Sequence, residues 1–220
     1  MHLDMERQVA AVTAEVGCPH LAMLIHSPAD VPAAQASFYS LGLRRRAWVL
    51  HHTLPGRGDA DRAALTAAGL EVAPLEAAGR LTVSELPLRD PPETWAIPFR
   101  RVLESRLAAG FEAVWWSRFP LGADDRAFAR AFPYDVAWDE AFSGRPAVSL
   151  CLYVVGDLGP DVRADRVRAL AAIHDGVLVD DGGAVKLAGS RRAPSIPGDA
   201  PTEEPLAGPA ARLGAAGRRP

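Results

Sequence analysis

Short apolar runs rich in β-branched and aromatic residues alternate along this chain with longer stretches of helical periodicity, and no other feature constrains its fold as much. Residues 20–26 (HLAMLIH) read as a strand, and Ser27-Pro28 opens a helix over about 29–43. Residues 46–52 (RAWVLHH) form the next strand. A Pro55-Gly56 turn leads into a helix over 60–68 that Gly69 ends, and 70–73 reads as a third, short strand, which completes one βαβαβ run. Further strands are expected at 79–85 (GRLTVSE), 111–118 (FEAVWWSR) and 147–155 (AVSLCLYVV), the last being the most hydrophobic. Helices are expected from Pro92 to about 109, over 124–131 and 134–142, and over 163–173. Two short strands at 177–179 and 184–187 are joined by an Asp-Asp-Gly-Gly turn, a good hairpin signal. The expected fold is therefore α/β: a three-layer sandwich with a mainly parallel central sheet and a C-terminal β-hairpin.

Length and composition bound this reading. A chain of 220 residues, 49% hydrophobic and 23% charged, has the balance of one ordinary globular domain. From about residue 190 the sequence turns to Pro, Gly, Ala and Arg without apolar periodicity, so the domain is placed at 1–189 and a disordered tail at 190–220. A net charge of -3 and a pI near 6.1 give no positive field for a phosphate backbone, which argues against direct nucleic-acid binding. No apolar run reaches the length of a membrane span, and the first fifteen residues lack a secretory signal pattern, so a cytoplasmic location without membrane contact is expected. Cys18 and Cys151 are too few for a disulfide framework and fit no zinc spacing, and are read as reduced thiols. Lys186 is the only lysine, in Gly-Gly-Ala-Val-Lys-Leu, which is not the spacing of a phosphate-binding loop.

Several of these pieces resemble the MEDS domain, the sensory domain named for methanogens, methylotrophs and the dichloromethane-responsive regulator. The similar segments are Gly17-Cys-Pro-His20 before the first strand, FYSLGL at 38–43, Gly79-Arg80-Leu81, SLCLY at 149–153 and RVRALAAIH at 166–174. The resemblance implies a fold derived from RecA- and KaiC-type ATPases, usually without an intact phosphate loop, acting as a sensor in signalling or transcriptional control. Two departures stand out: Trp138-Asp139 replaces the family's Tyr-Glu, and Asp175 replaces the proline that often follows the last histidine. They leave the implied fold in place and put any ligand carried over from the family in doubt.

In an open parallel sheet, ligands bind beyond the carboxyl ends of the strands. That rule selects His26, His51, His52, Trp116 and Arg118 as ligand-binding candidates. His51 and His52 point to opposite faces, so only one can join His26; Trp115 and Trp116 alternate likewise, and an aromatic surface suits an apolar ligand such as a small hydrocarbon derivative. Cys151 and Tyr153 share a strand face and could place a thiol and a phenol in one pocket, although a buried cysteine ordinarily packs as a small hydrophobe. His174 is read as a cap on the preceding helix, and the pairs Asp124-Asp125, Asp139-Glu140 and Asp180-Asp181 as caps, turns or solvated faces. No catalytic residue, metal site or cofactor is assigned. The expected function is a non-catalytic module that binds a small ligand or a separate signalling protein. The alternative is an atypical nucleotide-binding protein or ATPase that grips phosphate with arginines such as Arg44, Arg45, Arg57 or Arg118.

Overall fold

The computed structural model describes residues 2–85, 92–156, 158–180 and 184–191. Strand β1 (His20–Ile25) is buried throughout, and its side chains divide between two cores: Leu21, Met23 and Ile25 enter one, Ala22 and Leu24 the other. Because successive strand residues point to opposite faces, such a strand has to be covered on both sides. The remaining strands are β2 (Trp48–Thr53), β3 (Leu81–Glu85), β4 (Val114–Arg118), β5 (Leu121–Gly122), β6 (Ala147–Val154), β7 (Gly176–Asp180) and β8 (Val185–Gly189). They lie in the order β3-β2-β4-β6-β1-β7-β8, with the two residues of β5 pairing β6 beyond the end of β4. Every pairing is parallel except that of β7 with β8, the expected C-terminal hairpin.

One face is covered by α1 (His2–Val16), α2 (Val31–Arg44), α3 (Gly58–Ala67) and α4 (Val72–Ala77), which contribute Met5, Val9, Phe38, Tyr39, Leu65 and Val72. The other carries α5 (Pro92–Ala108), α6 (Asp125–Phe142) and α7 (Pro160–Ala171), with Phe99, Phe128, Trp138, Phe142 and Leu170. The three-layer arrangement is thus present. Gly42 shows why α2 fits so closely: a Cβ there would sit 2.6 Å from the ring of Trp115. No helix among the described residues is long and apolar enough to cross a membrane.

Local expectations needed correction at several points. Residues 70–73 are not a strand: Leu70 and Val72 are buried against the α2 side, and Val72 begins α4. The third strand of the βαβαβ run is β3. Helix α6 is continuous where two segments were expected around Pro133. The proline lacks an N–H and so forfeits one helical hydrogen bond, but Phe128, Ala131, Trp138 and Phe142 form one buried stripe that holds both halves on the sheet. Arg46 does not start β2; it turns the chain after α2 with φ 56°. Ser190 and Arg191, placed in the tail, both hydrogen-bond to Asp175, so the contacts of the domain run two residues past 189. The rest of the expected tail lies outside the described residues.

Candidate functional site

Helix α6 lays its apolar stripe across β1, β4 and β6, and at Asp135 it interrupts that stripe with a carboxylate that is 1% exposed. Burying a charge is costly unless it is paired. The sheet supplies the partners. Arg118, at the end of β4, donates to Asp135 Oδ1 at 2.5 Å, and the Tyr153 hydroxyl on β6 donates to Oδ2. The Cys151 thiol, two residues before Tyr153 on the same strand face, donates to Oδ1 at 3.2 Å. Burial, the largest influence, would raise the Asp135 pKa; Arg118, His174, His20 and the Tyr153 hydrogen bond together outweigh it and hold the carboxyl below its ordinary range. Burial, with Asp135 beside them, pushes both Cys151 and Tyr153 well up, so the thiol and the phenol keep their protons.

Two histidines complete this cluster. His20, the first residue of β1, brings Nε2 to 3.6 Å from Cys151 Sγ. His174, in the turn after α7, places Nε2 at 3.6 Å from Asp135 Oδ2, and its Nδ1 bonds the carbonyl of Leu170 at 2.9 Å. The two rings lie 4.0 Å apart. One ligating atom from each of His20, Asp135, Cys151 and His174 falls within 4.8 Å of the other three. Neither His174 Nε2 nor His20 Nδ1 has a hydrogen-bond partner. Outside the cluster, His20 Nδ1 faces Asp139 Oδ1 at 3.8 Å, and Arg191 clamps both Asp139 and Asp175. Asp175 Oδ2 accepts from the backbone N–H of His20 at 2.9 Å. Partial burial works against ionisation of Asp139, yet His20 and Arg191 hold its pKa down to about 2.

Arg118 also links this cluster to a cavity of about 370 Å³ that it shares with Leu121, Ala127, Arg130, Ala131, Pro133 and Tyr134. Its Nε has no hydrogen-bond partner. A second cavity, about 360 Å³, lies at the carboxyl ends of the strands on the α2 side, where His51, Asp61, Arg57 and Gln35 are among its lining. There His51 Nδ1 meets the Tyr39 hydroxyl at 2.9 Å and Nε2 meets Asp61 Oδ2 at 3.2 Å, while Thr53 donates to the same carboxylate oxygen. The hydrogen bond from His51, chiefly, lowers the Asp61 pKa.

The seven residues expected to bind ligand therefore separate. Arg118, Cys151 and Tyr153 meet around Asp135. His52 and Trp116 meet each other, with Trp116 Nε1 donating to His52 Nδ1 at 2.8 Å, but both are core residues: Trp116 stacks on Trp138 at 4.3 Å. His51 faces the strand-end cavity on the other side of the sheet, as the alternation required. His26 does not join it, because β1 ends at Ile25 and His26 is exposed on the following loop. Asp124 caps α6 as expected, accepting from the N–H groups of Arg126 and Ala127. Asp139, expected to be a cap or a solvated face, instead joins His20 to Arg191; His174 does bond a helix carbonyl but also faces Asp135. His20, Asp135, Asp139, Asp175 and Arg191 were not among the expected site residues. A charged residue at helical spacing within the apolar stripe 128, 131, 138, 142 was the signal for Asp135.

No family model matches the chain, and no curated protein matches it in sequence. Among solved structures it is similar to an uncharacterised protein of Pyrococcus horikoshii crystallised in complex with an unknown peptide. The similarity has a TM-score of 0.51 at 13% identity and covers 84% of this chain and 91% of that one. At that identity the likeness is one of fold: a layered α/β domain with a mostly parallel sheet.

Proposed function

We propose that the chain is a cytoplasmic sensory module of the kind the MEDS resemblance implies, binding a small molecule in the cavity beside Arg118 and signalling through a separate protein. The observation that carries this reading is a buried guanidinium, with one nitrogen unpartnered, in the wall of a cavity of about 370 Å³ whose other lining is apolar apart from Arg130 and Tyr134. Pockets for small ligands begin at about 300 Å³ and combine an apolar lining with a few placed polar groups. A short hydrocarbon derivative bearing an acceptor oxygen or halogen fits that description, its polar end towards Arg118 and its chain against Leu121, Ala127 and Pro133. The Arg118–Asp135 pair then connects ligand to the buried cluster, which is how occupancy would be transmitted. The Pyrococcus protein was crystallised in complex with an unknown peptide, which speaks for a polypeptide partner.

The test is a thermal-shift screen of short-chain carboxylic acids, alcohols and haloalkanes, since whatever binds only the native state raises its melting temperature. The reading expects a concentration-dependent rise that disappears in Ala127→Leu, whose added volume fills the cavity. A rise that survives Ala127→Leu, or none across the panel, contradicts it. Nucleotide binding has less support. The loop after β1 folds into a 3-10 turn in which Ser27 accepts from the N–H groups of Ala29 and Asp30, so these donors are turned inward. Calorimetric binding of magnesium-ATP would reverse that preference.

A further inference from the structure

We propose that His20, Asp135, Cys151 and His174 form a site for one divalent transition-metal ion, with a donor set suited to zinc. The proposal is independent of the small-molecule reading. The four residues come from β1, α6, β6 and the turn after α7, so only folding assembles them. Zinc bonds of about 2.0–2.3 Å in tetrahedral geometry put the ligating atoms roughly 3.3–3.7 Å from one another. Here Cys151 Sγ lies 3.6 Å from His20 Nε2 and 3.2 Å from Asp135 Oδ1, and His174 Nε2 lies 3.6 Å from Asp135 Oδ2. These separations, which involve both Asp135 oxygens, are close to the edge length of such a tetrahedron, and since all four ligating atoms lie within 4.8 Å of one another the side chains must draw in by up to about 1 Å around an ion.

The hydrogen bonds around the cluster orient the donors as a metal requires. His174 spends Nδ1 on the carbonyl of Leu170, which leaves the Nε2 lone pair directed at the carboxylate of Asp135 with no proton between them. Two buried acceptors facing each other are unfavourable until a proton or a cation lies between. His20 turns Nδ1 towards Asp139 at 3.8 Å, beyond hydrogen-bond distance, so this carboxylate lies on the side of the ring from which an outer carboxylate commonly backs a metal-bound imidazole. Arg118, Tyr153 and the thiol occupy three of the roughly four lone-pair positions of the Asp135 carboxylate, so one remains, and a second is released when the thiol proton leaves. On binding, the Cys151 S–H bond breaks, its proton passes to solvent and a sulfur–metal bond forms, with no change of oxidation state. A mixed sulfur, imidazole and carboxylate set of four suits zinc rather than calcium or magnesium.

The experiment uses the whole chain, stripped with a chelator and then titrated with Zn²⁺ alone or Co²⁺ alone. Cys18 and Cys151 are the only cysteines, so in Cys18→Ser any thiolate ligand must be Cys151. The expected result in that variant is one ion per chain, with a tetrahedral cobalt spectrum and a thiolate-to-cobalt charge-transfer band. Cys151→Ser should lose the band and bind more than about 100-fold more weakly, beyond the 10- to 100-fold typical of outer-shell changes such as Asp139→Asn. No stoichiometric uptake by Cys18→Ser, or uptake without the charge-transfer band, overturns the proposal whether or not Cys151→Ser folds. So does undiminished affinity in a folded Cys151→Ser.

Discussion

On the α2 side of the sheet His51 uses both ring nitrogens, one with Tyr39 and one with Asp61; on the α6 side His20 and His174 each keep one nitrogen without a hydrogen-bond partner. Both networks reach a cavity, the first through His51 and Asp61 and the second through Arg118, but the carboxylate of the first is partly exposed whereas Asp135 and His174 are at most 1% exposed. A protein interior leaves few buried polar atoms unmatched; of these two, His174 Nε2 faces the ligating cluster and His20 Nδ1 faces Asp139 behind it. The difference therefore separates a hydrogen-bonded scaffold on one face from a site prepared for an occupant on the other.

The strongest way to break this comparison is to remove each carboxylate in turn. Asp135→Ala leaves the Arg118 guanidinium buried without its counter-ion and is expected to cost about 3–5 kcal/mol in urea unfolding. Asp61→Ala removes two hydrogen bonds to a carboxylate at a partly exposed position and should cost less, about 1.5–3 kcal/mol. Equal losses would show that the two networks do not differ as described. On the α2 side packing rather than charge sets the tolerance. Gly42→Ala drives a Cβ into Trp115 and is expected to destabilise by about 1–3 kcal/mol by the same measurement.

Acid should expose the α6 side. Burial, chiefly, lowers the pKa of both His52 and His174 from 6.5 to about 3. As pH falls below about 6.5 the unfolded chain takes up these protons and the folded chain does not, so stability is full above that pH and declines towards about 3. With chelator present, the slope between pH 6.5 and 5 should approach about 1.4 kcal/mol per pH unit for each histidine. His52→Phe, if it folds, should reduce the slope by one proton's worth; an unchanged slope would remove His52 from the account. The smallest effect is expected at the rim. Arg191→Ala breaks pairs with Asp139 and Asp175 at a position 24% exposed and should cost no more than about 1 kcal/mol.

Much of the fold was legible because strand and helix periods are local. The runs at 20–26, 46–52, 111–118 and 147–155 all contain strands, and the alternation of His51 with His52 and of Trp115 with Trp116 was correct. What failed locally was punctuation overridden by packing, at Pro133 and at Leu70–Val72. The site was legible only in fragments. Cys151 with Tyr153 and Arg118 could be named from strand position, but His20 and His174 are 154 residues apart and meet only because β1 lies between β6 and β7. Neither spacing nor composition encodes that neighbour order. The strand-end rule selected His26, which the end of β1 at Ile25 leaves exposed on a loop.

X-ray absorption on the chain loaded with one equivalent of zinc tests the central claim most directly. The account predicts a four-coordinate shell with one sulfur at about 2.3 Å and three nitrogen or oxygen atoms at about 2.0–2.2 Å. A shell of nitrogen and oxygen alone, with no sulfur, would contradict it.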